Sequence, residues 1–355
     1  MLVLRVIGSY TCNAACKYCY QNNLTNDKKI ISINAELLVN FIYSYIKQNE
    51  ITAIQFFWYG GETLCYFETI LQINQKLLKI IPKKIKIYND ISTNGYILSS
   101  DILNQCRELS NLTFSISLEP NHKLQALYRY STNSISYKEL LKNSAECSQH
   151  YGTTIVFVLS YLNFKSVFNF SQYIKNNNMN IKNLDIFIGK LSNIENCLSN
   201  DLKISIIRLD HFIRIRNICY FNFVKFGINI PYTRFNPFNT GCNYFIKNSF
   251  VILPDENISK CHEHITDHIH IIGNLIDTHS DKIHQDLFTS CKGCKLLSIC
   301  KGRCVDRILK KNKRVCVMKT IDGAHFKNFN TDIINEAFRM MTLYKSSCTN
   351  TKKRY

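Results

Sequence analysis

Three cysteines stand within eight residues near the start of the chain, Cys12, Cys16 and Cys19 in the stretch GSYTCNAACKYCYQ. Four thiolates would complete the shell of a zinc ion or the corners of a cubane iron–sulfur cluster. Three leave one metal corner open, and no histidine lies within eighty residues to close it. An open corner is where a metal site does chemistry rather than hold a fold together.

A second cysteine group lies far downstream. CKGCKLLSICKGRC carries Cys291, Cys294, Cys300 and Cys304, with Cys242 and Cys261 before it and Cys316 after it. A zinc ribbon also uses CxxC pairs, but this density, with two more cysteines upstream, makes zinc the lesser option. The chain has sixteen cysteines. MLVLRVIG is too short and wrongly flanked for a signal peptide, and no run of about 18 apolar residues occurs. A cytoplasmic location without a membrane partner is therefore expected, where thiols bind metals rather than pair as disulfides. Cys65, Cys106, Cys147, Cys197, Cys219 and Cys348 have no ligand spacing and read as small hydrophobes, with Cys219 alone a possible late ligand.

The formal charge is +18. Ten ionised thiols around three +2 cluster cores would bring it to about +14. Lysines and arginines are scattered along the chain, with short clusters at PKKIKI and LKKNKR, so charge alone does not make nucleic acid the partner.

Several elements must position these residues. Apolar, β-branched or aromatic runs at 2–7, 53–59, 85–91, 113–118, 154–159 and 184–188 predict six strands. Between them, helix-period segments lie near 34–47, 67–81, 99–109, 137–149 and 165–175. This alternation predicts right-handed βαβ crossovers and a parallel sheet, an α/β fold of the partial (β/α)6 barrel type. The expected domains are the barrel at 1–189, a helical connector at 190–238 packed on it, a cysteine-rich domain at 239–320 and a helical extension at 321–355.

In parallel barrels, functional groups gather on the loops after the strand C-termini. Here those loops carry the cysteine triad, Gly60-Gly61-Glu62 in WYGGETL, Thr93 and Asn94 in STNGYIL, and Ser115 and Ser117 in SISLEP.

With these motifs in place, the chain resembles the radical S-adenosylmethionine (SAM) enzymes, in the branch that carries a C-terminal SPASM domain. CxxxCxxC after the first strand, with aromatic Tyr18 before the last cysteine, is that superfamily's signature. The resemblance implies that Cys12, Cys16 and Cys19 hold a [4Fe–4S] cluster whose open iron chelates the amino and carboxylate groups of SAM. An electron from the cluster then yields a 5′-deoxyadenosyl radical. It further implies that Gly60, Gly61 and Glu62 meet the methionine amino group, and that Thr93, Asn94, Ser115 and Ser117 contact ribose or methionine. Arg129 matches the family's SLDG…R spacing, and its guanidinium suits a bidentate hold on the methionine carboxylate. Leu-Glu-Pro replaces the usual Leu-Asp-Gly in that motif.

For the downstream cysteines, the resemblance implies two auxiliary [4Fe–4S] clusters, three clusters in all. One would be held by Cys291, Cys294, Cys300 and Cys316, the other by Cys242, Cys261 and Cys304. The second has three recognisable ligands; a fourth could come from Cys219, His262 or His264, or the iron could stay open to substrate. Glu256 stands where the family commonly has glycine, and IIGNL fits the family's strand-turn after the second cysteine.

SPASM enzymes mostly act on peptides or proteins. The expected function is oxidative modification, by crosslinking, of a ribosomally made precursor peptide, with flavodoxin or ferredoxin as electron donor. One alternative is a sulfatase-maturing, formylglycine-generating enzyme, whose branch follows the second SPASM cysteine with a basic aspartate; here that position is His262, and Asn236 replaces a further cysteine. A multi-cluster electron carrier and a zinc-bearing nucleic-acid binder are the non-enzymatic alternatives. Because the chain starts directly at the first strand, the peptide is expected to be recognised by a separate partner or by the barrel and SPASM surface.

Overall fold

The computed structural model describes residues 1–21, 32–131, 135–176, 183–192, 198–230, 244, 246–265 and 267–276. Its strands are β1 (Leu2–Ile7), β2 (Ala14–Cys16), β3 (Ala53–Tyr59), β4 (Lys86–Thr93), β5 (Leu112–Ser117), β6 (Arg129–Ser131), β7 (Gly152–Leu159), β8 (Leu184–Lys190), β9 (Ser249–Ile252), β10 (Asn257–Ser259) and β11 (Ile271–Asn274). The helices are α1 (Ala35–Gln48), α2 (Phe67–Ile80), α3 (Ser100–Gln105), α4 (His122–Tyr128), α5 (Tyr137–His150), α6 (Phe164–Asn176), α7 (Asn200–Ile204) and α8 (Leu209–Lys225).

All six strands expected from the alternation are present and pair in parallel in the order β1-β3-β4-β5-β7-β8. The α/β partial barrel is the fold. In β3, Ile54, Phe56 and Trp58 are wholly buried, while Gln55, Phe57 and Tyr59 are half-buried on the other face. That period of two turns one side of the strand to the helices and the other to the barrel interior. The helices answer with their own period: α1 buries Leu38, Val39, Phe41 and Ile42, and Asn34 caps it by accepting from the Glu36 and Leu37 N–H groups. The single tryptophan spans the two layers, its Nε1 donating to Asn89 Oδ1 at 2.8 Å while Asn89 in turn reaches Asn74 of α2. The segment expected to be helical over 99–109 is α3 followed by a 3-10 turn over Cys106–Glu108.

Three further strands extend the sheet beyond β1, giving the nine-stranded order β11-β10-β9-β1-β3-β4-β5-β7-β8. β9 pairs with β1 in parallel, and β10 and β11 follow antiparallel. The chain divides into two compact units, Met1–Ile230 with Asn248–Ser280, and Pro231–Lys247 with Asp281–Tyr355. Glu256, in the turn between β9 and β10, adopts φ +70°. The left-handed region explains why a glycine is suited there.

No helix among the described residues is long and apolar enough to cross a membrane. Of the cysteines without ligand spacing, Cys106, Cys147 and Cys219 are buried and Cys65 is exposed, while Cys197 and Cys348 lie outside the described residues. Cys219 sits on α8, beside Phe164 and Phe168 of α6, in the helical layer against β8. β8 is one edge of the sheet, whereas Cys261 follows β10 near the other in strand order.

Candidate metal and cofactor site

The loop that carries Cys12 leaves β1 and is held to the turn after β3 by backbone bonds. Gly61 N–H donates to Ser9 O at 2.9 Å and Glu62 N–H to Thr11 O at 2.8 Å. A Cβ at Gly61 would stand 2.2 Å from Thr11 O, and one at Gly60 would stand 2.4 Å from Ser9 O. Gly60 also adopts φ +147°. Only glycines let the two loops touch in this way.

Glu62 is 1% exposed. Its Oε1 accepts from the Thr93 hydroxyl at 2.6 Å and Leu64 N–H at 3.0 Å, and its Oε2 from Asn94 N–H at 2.7 Å. Burial pushes this carboxyl up, while the three donors and Arg129 pull it back. The Asn94 amide donates to Asn13 Oδ1 at 2.8 Å and lies 3.9 Å from Cys12 Sγ. Glu62, Thr93 and Asn94 thus hold one another and, through Asn13, the cysteine loop.

Cys16 belongs to β2, which forms a two-stranded antiparallel ribbon with β6, and it stands opposite Arg129. The Arg129 Nη1 donates to Tyr18 Oη at 2.9 Å, and the Tyr18 hydroxyl donates to Glu119 Oε1 at 2.6 Å. Glu119 is completely buried. Its Oε2 accepts from Asn163 Nδ2 at 3.0 Å, and its N–H donates to Gln125 Oε1 at 2.8 Å. Burial works against the Arg129 charge, but Cys16, the Tyr18 phenol and Glu119 more than offset it, so the guanidinium stays charged.

Two buried donors in this ribbon find no hydrogen-bond partner among the described residues: Arg129 Nε and Asn13 Nδ2. Leaving such groups unpaired costs about 1–3 kcal/mol each. An acceptor-rich ligand beside the cysteine loop would satisfy them.

The serines divide. Ser117 ends β5 at the rim, half-buried, whereas Ser115 lies two residues deeper and donates to the Asp90 carboxylate at 3.2 and 3.4 Å. Glu119 is the residue that sequence reasoning missed. Its signal was the Glu-Pro substituted into the SLDG position, a carboxylate placed just past a strand end.

Cys12 and Cys19 are half-buried and Cys16 is buried. Burial pushes the Cys12 thiol up to about 12, and Glu62, Cys16 and Cys19 add to the rise. A thiolate here needs positive charge beside it, which metal supplies. Among the described residues no three His, Cys, Asp or Glu side chains lie close enough to hold one metal ion. The three thiols are nevertheless electrostatic neighbours. The resemblance to a cluster-binding loop rests on the CxxxCxxC spacing along the chain.

Cys261 is buried after β10, with His264 N–H 3.4 Å from its sulfur. Tyr20, next to Cys19, donates its hydroxyl to the His262 carbonyl at 3.2 Å, next to Cys261. Burial and Arg5 lower the His262 pKa to about 4. Cys242, Cys291, Cys294, Cys300, Cys304 and Cys316 lie outside the described residues.

Residues 6–169 match the family model of the radical SAM superfamily. A serine-type anaerobic sulfatase-maturating enzyme of Bacteroides thetaiotaomicron is 30% identical over 131 residues, 36% of this chain and 31% of that protein. The match spans about a third of that relative's length. Among solved structures, native anSMEcpe with bound AdoMet has a TM-score of 0.68 at 18% identity, covering 98% of this chain and 99% of that one. Streptococcus suis SuiB bound to precursor peptide SuiA has a TM-score of 0.61 at 16% identity, covering 88% of this chain and 73% of that one. These two likenesses establish the shared fold.

Proposed function

We propose that the chain, whose residues 6–169 match the radical SAM family model, is a radical SAM enzyme that oxidatively modifies, by crosslinking, side chains of a ribosomally synthesised precursor peptide. The observation that carries the SAM site is the pair of buried, unpaired donors, Arg129 Nε and Asn13 Nδ2, beside the three-cysteine loop. Cys12, Cys16 and Cys19 would hold a [4Fe–4S] cluster, and Arg129 would meet the carboxylate of SAM. Bound together, the two cofactors supply a radical able to abstract hydrogen from an unactivated side chain. The protein's share is positioning. Gly60 and Gly61 fix the cysteine loop against β3, the β2–β6 ribbon brings Arg129 to Cys16, and the buried Glu62 braces the floor beneath them. Two auxiliary clusters and a small electron-transfer protein complete the proposal.

The peptide reading is supported by the likeness to SuiB, which was solved with its precursor peptide. A second reading, maturation of a sulfatase, is favoured by the 30% identity to the Bacteroides enzyme. Against it stands His262, half-buried and uncharged at neutral pH, where the sulfatase branch carries an anionic aspartate.

The test is anaerobic incubation of the reduced protein with SAM, followed by co-expression with the peptide of a short neighbouring reading frame. We expect 5′-deoxyadenosine and a peptide lighter by about 2 Da per crosslink. If 5′-deoxyadenosine forms and that peptide keeps its mass, while a sulfatase-derived peptide is converted to formylglycine, the second reading replaces the first. No 5′-deoxyadenosine under any condition overturns both.

A further inference from the structure

We propose that Glu119 is a positioning residue for Arg129, acting through the phenol of Tyr18 to keep the guanidinium open toward an incoming carboxylate. The inference rests on the SAM reading above and deepens it. A carboxylate and a guanidinium buried together ordinarily close on each other in a direct bidentate pair. Such a pair would consume the face of Arg129 that a ligand needs. Here one phenol stands between them. Tyr18 donates to Glu119 Oε1 at 2.6 Å and accepts from Arg129 Nη1 at 2.9 Å, so the guanidinium is anchored at one nitrogen while its Nε stays unpaired.

Glu119 is held too firmly to swing across and take that place. Its second oxygen accepts from Asn163, and its backbone N–H and carbonyl bond Gln125 Oε1 and the Tyr137 hydroxyl. Gln125 also donates to Tyr96 Oη, which donates to the Arg129 carbonyl at 2.7 Å. Backbone and side chain of Arg129 are therefore fixed from the same buried network, with the free edge of the guanidinium as the part left for a ligand. The substitution of Glu-Pro into the motif after β5 then has a physical purpose. The longer carboxylate reaches Tyr18, and Tyr18 lies inside the cysteine loop itself, between Cys16 and Cys19.

The test uses the anaerobically reconstituted full chain carrying Tyr18→Phe, Glu119→Ala or both, with Glu119→Gln as the conservative variant. Binding of SAM and of decarboxylated SAM is measured by equilibrium dialysis, with iron content and thermal midpoint as controls. Each of Tyr18→Phe and Glu119→Ala should weaken SAM binding about five- to tenfold, and the double variant no more than either alone. Glu119→Gln, which still accepts from the phenol, should recover most of the loss. Decarboxylated SAM, lacking the group Arg129 would hold, should bind parent and variants alike. Multiplying losses in the double variant, equal losses for both ligands, or unchanged SAM binding in Tyr18→Phe each overturn the inference. Should Glu119→Ala fail to fold, Tyr18→Phe, which removes one oxygen, still decides. If the parent chain itself binds neither ligand, the SAM reading fails and this inference falls with it.

Discussion

Cys16 and Arg129 face each other across the short antiparallel ribbon of β2 and β6. A thiol of the candidate cluster and the cation expected to meet the cofactor's carboxylate are thereby fixed at one spacing by backbone hydrogen bonds. Side-chain flexibility has little room to change it. The loop before Cys16 is held in turn by the glycines after β3.

Replacing Arg129 by Ala should weaken SAM binding by about 1.5–3 kcal/mol, the worth of a charge-assisted hydrogen bond. Iron content should not change, because Cys16 keeps its strand partner through the backbone. Dialysis against labelled SAM, alongside iron analysis, gives both numbers; full affinity in the variant would remove Arg129 from the site.

Three [4Fe–4S] clusters correspond to about twelve irons per chain, and replacing Cys12, Cys16 and Cys19 together with Ala should leave about eight. The triple variant should form no 5′-deoxyadenosine. Retention of the full iron load would show that these thiols do not carry a cluster.

Gly61→Ala places a methyl carbon 2.2 Å from the Thr11 carbonyl oxygen, with backbone on both sides. The cysteine loop must move. We expect lower iron occupancy of the first cluster and a stability loss of about 1–3 kcal/mol, measured by iron analysis and denaturant unfolding. A variant with parental iron and stability would mean the loops do not touch as described.

Glu256→Gly should have the opposite effect. The residue sits at φ +70° in the turn that joins β9 to β10. Relief of left-handed strain outweighs the entropy that glycine adds to the unfolded chain, for a gain of about 0.5–1 kcal/mol in unfolding free energy. Unfolding curves of the two proteins at equal iron content test it.

Burial raises the thiols of Cys106, Cys147 and Cys219 to about 12. At pH 8 only about one thiol in ten thousand is ionised at each position. Iodoacetamide at that pH should leave all three unmodified in the folded protein and label them after denaturation, as peptide mass spectrometry will record. Rapid labelling of Cys219 in the folded chain would contradict its buried place on α8 against α6.

Some of this was legible in the sequence for a physical reason that concerns neighbours along the chain. The spacing of Cys12, Cys16 and Cys19 is a property of one loop. The six parallel strands announce themselves through a period of two, and the helices between them through a period near four, because burial on one face writes itself into consecutive residues. Glu256 was visible as a side chain where a glycine is usual, and the backbone angle there shows why.

Other features depended on which edges of the folded chain meet, and no local pattern records that. No strand was expected at β9, a run of four buried residues, nor that it lies beside β1. Tyr18 and Arg129 bond across 111 positions, and Glu119 reads in the sequence only as an unusual letter in a loop. Ser115 and Thr93 were expected at the rim by their strand ends, yet the hydroxyl of each donates to a carboxylate of the protein, Asp90 and Glu62. Sequence alone determined which residue types are buried and which loops can hold metal; tertiary structure decided who pairs with whom, because hydrogen-bond partners are chosen by strand register and layer, and those are fixed only when distant segments pack.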